Sequence, residues 1–187
     1  AAAEAIATIR FEGFPFGQII AEPPVTAATW RAYLEASLSR FAAANAATIS
    51  ADVGDADRLL GQALALLAKV PHDPPHALVH GDFFPGNVLL DEDLTVSAVI
   101  DFSGFTLAGD PLYDLAGACI FPEMIAEATA EDVVLLGALA RERVPEGALA
   151  FYRAYFAFFS ADPALAASPY PGMYGWAARE LRGMAGR

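Results

Sequence analysis

Hydrophobic positions along this chain fall mostly at helical intervals. Trp30, Tyr33, Leu34, Leu38 and Phe41 form one apolar stripe, which predicts a helix starting near Thr26. Leu59, Leu60, Ala63, Leu64, Leu67 and Val70 repeat the pattern from about Ala56 to Val70, where Pro71 stops the helix. Thr129-x-x-Asp132 resembles a capping box opening a helix through about Arg143, and Pro145-Glu146-Gly147 separates it from the next. That next helix carries Phe151, Tyr152, Tyr155, Phe156, Phe158 and Phe159, a stripe suited to core packing or to lining a pocket for a cation. A Pro- and Ala-rich loop leads to a last helix from about Met173 to Met184, with Tyr174, Trp176 and Leu181 placed for packing. Ahead of all these, Ala1 to Ile9 reads as the end of a helix, and Phe11 to Pro24 as a loop punctuated by Gly and Pro.

The pattern changes once. Val88-Leu89-Leu90 and Val96-Ser97-Ala98-Val99-Ile100 are short apolar runs separated by the acidic turn Asp91-Glu92-Asp93, which predicts a β-hairpin. A hairpin folds its ends back beside each other, so Asn87 and Asp101 are expected to converge. The fold class expected is mainly α with a small β-hairpin (α+β), as a single helical unit over 1–187. Its chemical part lies at 78–102 and a helical substrate-side region at 111–187.

Composition sets limits on this picture. The chain has 187 residues, 56% of them hydrophobic, but much of that is alanine, a helix former of small apolar area. Its longest apolar stretches, such as Val133 to Ala140, fall well short of the ~18 residues that span a bilayer, so no membrane segment is expected. The opening Ala1-Ala2-Ala3 lacks a basic region and a cleavage pattern, which reads as a chain entered partway rather than a signal peptide. A lone cysteine, Cys119, excludes an internal disulfide and suits a reducing, cytoplasmic setting. The net charge of −12 disfavours nucleic acid and leans modestly toward an amine-bearing partner.

The candidate chemistry lies in Leu78-Val79-His80-Gly81-Asp82-Phe83-Phe84-Pro85-Gly86-Asn87, followed by Val99-Ile100-Asp101-Phe102 and Gly109-Asp110-Pro111. Phosphoryl transfer to a hydroxyl needs one free carboxylate as base and separate oxygen ligands for magnesium. Asp82 and Asn87 have the Asp-x-x-x-x-Asn spacing of a kinase catalytic loop, and Asp101 ends an apolar run, where a carboxylate calls for a reason such as a metal. His72, His76 and His80 recur every four residues, but Pro74 and Pro75 break any helix that would make them a zinc face. Asp110-Pro111 reads as an N-cap and first helical residue, with Asp114 a polar residue in an otherwise apolar helix start.

These motifs resemble those of the aminoglycoside phosphotransferase family and its relatives, the choline, fructosamine, homoserine and methylthioribose kinases. The resemblance implies the C-terminal lobe of a protein-kinase-like fold and ATP- and Mg²⁺-dependent transfer to a small hydroxylated molecule, with GTP left open. It implies Asp82 as catalytic base, Asn87 and Asp101 as magnesium ligands, and Leu89 and Ile100 as the floor under the adenine. His80 and Asp114 would brace the catalytic loop, with Asp110 as structural support. Glu123, Glu127, Glu131 and Asp132 are available for amines of an aminoglycoside-like substrate, Glu123 and Glu127 being the named candidates. Such enzymes begin with a smaller lobe bearing a phosphate-covering loop and a strand lysine. Lys69, the one lysine, sits late in a helix, so that lobe is expected to be absent here and to pack on this chain. The alternatives are a non-catalytic kinase-like binding module and an inactive fragment.

Overall fold

In the computed structural model, residues 2–167 and 172–186 are described. Helix α2, Trp30–Asp52, is opened by Thr29, whose hydroxyl accepts from Ala32 N at 3.2 Å. It buries Trp30, Tyr33, Leu34, Leu38, Ala42 and Ile49 on one face, while Phe41 stays partly exposed beside the core. Helix α3, Ala56–Leu67, is capped by Asp55 and buries Leu59, Ala63 and Leu67. The Arg31 guanidinium of α2 donates to the carbonyls of Ala68 and Val70, satisfying the C-terminal acceptors of α3 and tying the two helices together.

The aromatic helix α6, Glu146–Ser160, runs through the centre. Phe151, Tyr152, Phe156 and Phe158 are almost wholly buried, and Asn45 of α2 donates to the Phe158 carbonyl at 2.9 Å. Helix α5, Ala130–Arg143, precedes it and carries the expected capping box: Thr129 Oγ1 accepts from Asp132 N, and the Asp132 carboxylate accepts from Thr129 N. Helix α7, Gly172–Ala185, closes the core with Trp176 and Leu181. Part of the expected Pro- and Ala-rich loop, 168–171, and Ala1 at the head of the chain lie outside the described residues. Among the described residues, no helix is long and apolar enough to cross a membrane.

The strands depart from the sequence expectation. Segments read as loop or helix start contribute β1, Phe16–Gln18, and β2, Thr26–Ala27; with β3, Ala77–Val79, and β6, Leu107–Gly109, they form an antiparallel sheet in the order β2-β1-β6-β3. The expected hairpin forms separately from β4, Val88–Leu90, and β5, Val96–Val99. Helix α2 therefore starts at Trp30 rather than Thr26, because Thr26 and Ala27 pair with Gly17 and Phe16. A short helix α1, Ala2–Ile6, packs beside Phe83, and α4, Leu112–Ile120, follows β6 directly.

That last connection positions the chemistry. Strand β3 delivers His80 at its end, antiparallel to β6, and Leu107 opposes Val79. Helix α4 turns back after Asp110, and Asp114 in its first turn reaches the backbone N–H groups of His80 and Gly81 just beyond the end of β3.

Gly109 sits in β6 against the fully buried Trp30 ring. A Cβ added there would lie 2.4 Å from Trp30 Cζ3, and the indole is held by its donation to Tyr152 Oη at 3.2 Å. Gly109→Ala should therefore destabilise the fold by about 1–3 kcal/mol through overpacking, read as a lower urea midpoint with an unchanged slope.

Candidate functional site

The loop after β3 turns at Gly81, where φ is +85° and a Cβ would stand 1.9 Å from the Phe105 carbonyl oxygen. Only glycine fits this left-handed backbone pressed against another segment. With no ladder to hold it, the loop is held by Asp114. One carboxylate oxygen accepts from His80 N at 2.7 Å and the other from Gly81 N at 2.9 Å. Burial pushes this carboxyl up to about 6 even though two N–H groups stabilise its charge.

His80 is fully buried. Its Nε2 lies 2.7 Å from the Ile100 carbonyl oxygen, and Asp82 N donates to its Nδ1 at 3.3 Å. This network assigns the neutral tautomer with the proton on Nε2. The ring thereby links the loop after β3 to the far end of the hairpin. It is no metal ligand, and among the described residues no His, Cys, Asp and Glu cluster suits a metal held by protein alone.

The hairpin brings its two ends side by side. Ile100 N donates to the Asn87 carbonyl at 3.0 Å, so the residues that open and follow the hairpin lie side by side. The buried Asn87 amide donates from Nδ2 to the Asp82 carbonyl at 2.9 Å, which leaves its side-chain oxygen as an acceptor. Asp101 stands in a left-handed conformation, φ +63°, uncommon for a residue other than glycine and typical of constrained sites. Burial raises the Asp82 carboxyl above its ordinary range, and the nearby Asp101 charge adds to the effect. Among the described residues neither acid is paired with Arg or Lys. The Asp101 carboxylate and the Asn87 side-chain oxygen are hard oxygen donors of the kind Mg²⁺ takes, an ion that uses few protein ligands and completes its shell with phosphate and water.

Leu89 pairs with Ala98, and Ile100 follows two residues later, so both lie on one face of the hairpin, where they are exposed. Asp110 caps α4 by accepting from Leu112 N at 3.0 Å, but its other oxygen is buried without a partner, and burial pushes its carboxyl up to about 6. Glu123 is committed elsewhere. Arg153 grips it in bidentate fashion at 2.7 and 2.8 Å, Trp176 Nε1 donates to it at 3.0 Å, and Arg153 also binds Glu180. Glu127 and Glu131 are exposed, and Asp132 serves its capping box. None of these four acids lines the cavity beside Asp82.

That cavity is the part that sequence reasoning located only in outline. It has a volume of about 250 Å³, and Gly81 and Asp82 line it. Its walls come from α2 (Tyr33, Arg40, Phe41), the segment before β6 (Phe105) and α6 (Tyr155, Phe156, Phe159). The helical spacing of Tyr152, Tyr155, Phe156 and Phe159 was visible in the sequence; that α2 and Phe105 would face it was not.

The description of one protein-family model, the phosphotransferase enzyme family, matches residues 17–166. No curated protein matches significantly. Among solved structures, the fold is similar to aminoglycoside phosphotransferase APH(4)-Ia, with a TM-score of 0.65 and 19% identity over 98% of this chain and 60% of that one. A thermostable mutant of that enzyme, in ternary complex with AMP-PNP and hygromycin B, gives 0.64 and 18% over 97% and 60%. An aminoglycoside-3'-phosphotransferase of type VIII gives 0.53 and 26% over 84% and 57%. The chain thus spans about 60% of the length of the first two structures.

The partnerless Asp110 oxygen makes a prediction. In the folded chain this carboxyl keeps its proton to about pH 6, whereas unfolded it loses it near 3.8, so its contribution to stability falls as pH rises between these values and stays flat above. Asp110→Asn keeps the cap oxygen and removes the ionisation. Urea unfolding should show the variant gaining up to about 3 kcal/mol over wild type at pH 8 and no such gain at pH 3.

Proposed function

The chain belongs to the phosphotransferase enzyme family, and from that premise we propose that the protein containing it is an ATP- and Mg²⁺-dependent O-phosphotransferase acting on a small hydroxylated molecule. The observation that carries this reading is Asp82, a half-buried carboxylate lining a cavity, with Asn87 and Asp101 near it. An acceptor hydroxyl in the cavity gives its proton to Asp82 as its oxygen attacks the γ-phosphorus. The new P–O bond forms, the bond to the bridging β-phosphate oxygen breaks, and ADP leaves. The Asn87 side-chain oxygen and the Asp101 carboxylate would hold a magnesium ion, which would supply neutralising charge to the phosphates.

The exposed face with Leu89 and Ile100 forms the apolar floor for the nucleotide base, and AMP-PNP and ADP in complexes of structural neighbours support a nucleotide cosubstrate. In this reading the residues matched here make up the larger, acceptor-binding lobe, and a smaller lobe covers the nucleotide from the hairpin side. Asp114 and His80 act as positioning residues, through the loop backbone rather than on substrate.

Asp82→Asn in the full-length protein tests the reading. The Asp82 backbone N–H and carbonyl, which bond His80 and Asn87, survive the change, so the fold should hold. Mg²⁺-dependent transfer of phosphate from ATP to an alcohol acceptor should fall by about 10²–10⁴-fold, the range for a lost general base, with nucleotide affinity little changed. Undiminished turnover would remove Asp82 from the reaction.

A further inference from the structure

The cavity beside Asp82 is built for an acceptor unlike a polyamine. Rings make up much of its wall, beside Gln18 and apolar side chains such as Leu107 and Met124: Phe41 of α2, Phe105 before β6, and Tyr155 and Phe159 of α6, with Phe159 meeting Phe41 and Phe105 edge-on at 5.2 and 5.9 Å. Among the described residues the charged groups lining it are Asp82 and Arg40 alone. Asp82 is needed as the base. The Arg40 guanidinium lies 5.4 Å from the centre of the Phe41 ring and, among the described residues, has no carboxylate partner.

A polycationic acceptor entering this space would shed the hydration of its ammonium groups, and each needs a carboxylate or carbonyl to replace it. The acids that composition offered for that role lie off the cavity, Glu123 locked by Arg153 and Trp176 and Glu127 out in solvent. Arg40 adds like-charge repulsion. An apolar body loses nothing by leaving water and gains contact with the rings, while an ether, ester or carbonyl oxygen on it can accept from Arg40.

We propose that the acceptor is an alcohol carried on a bulky, largely apolar and uncharged body, its hydroxyl directed to Asp82 and an oxygen of its framework to Arg40. This rests on the phosphotransferase reading for the role of Asp82. The net charge of −12 misleads on this point: the acidity is spread over caps, cross-braces and solvent-facing helices, and the acceptor meets almost none of it.

The test uses the full-length protein with naphthylethanol as the apolar alcohol and kanamycin as the polyamine. Binding is measured by calorimetry in the presence of Mg²⁺ and ADP, and transfer with radiolabelled ATP. Naphthylethanol should bind and be phosphorylated, with kcat/KM at least about 10-fold above that for kanamycin, equivalent to a single strong apolar contact. Phe105 is half-exposed, so Phe105→Ala should leave the fold intact and weaken naphthylethanol binding about 5- to 10-fold with ADP affinity unchanged. Phosphorylation of kanamycin without binding of naphthylethanol, or naphthylethanol binding indifferent to Phe105→Ala, overturns the inference and keeps the kinase reading. Phe105-sensitive binding of naphthylethanol with no transfer to any alcohol supports the apolar pocket and overturns the kinase reading instead.

Discussion

The Asp114 carboxylate, held between the backbone N–H groups of His80 and Gly81, is the contact on which the candidate site depends. Strand pairing ends at Val79, and the chain beyond it has no regular partner for several residues. A buried anion supplied by a helix takes over from the ladder. That helix is fixed in turn, because Tyr113, Ala116 and Ile120 of α4 are buried against the central aromatic helix. Core packing is thereby transmitted through one side chain to the backbone that carries Asp82. The arrangement carries an electrostatic cost, visible in the raised Asp114 carboxyl, and such costs concentrate where backbone geometry matters for chemistry.

The same economy governs the other buried polar groups. Glu123, Arg153, Trp176 and Glu180 form a cross-brace joining the turn after α4 to α6 and α7, and none of the four lines the cavity. Arg31 closes the end of α3, and Asn45 binds a carbonyl at the end of α6. Polar side chains in this chain mostly satisfy backbone or one another. Among the described residues, the buried side-chain atoms left unmatched are few and include the partnerless oxygen of Asp110.

How far the sequence revealed this follows from the length of each signal. Helix α3 repeats its apolar positions over three turns up to Pro71, α5 is announced by its capping box, and both were located to within a few residues, as was α7. The hairpin was legible because two apolar runs flank an acidic turn. Strands of two or three residues offer no period to read, and β1, β2, β3 and β6 exist because distant segments pair. The family and the fold were legible in the spacing of Asp82, Asn87 and Asp101 with their glycines and prolines. Glu123 was misleading as a binding candidate because its partner, Arg153, lies 30 residues away and nothing local announces the pair. The cavity was only half visible, since α6 showed its aromatic stripe while Phe105 stood alone between Gly104 and Thr106.

The buried ring of His80 has one further consequence. Its Nδ1 is occupied by the Asp82 N–H and its Nε2 proton by the Ile100 carbonyl, so both nitrogens are spoken for by backbone. That imidazole therefore offers the Asp82 carboxylate no free acceptor on its inner side, and on the proposed kinase reading a proton taken up by Asp82 returns to solvent and not inward through the ring.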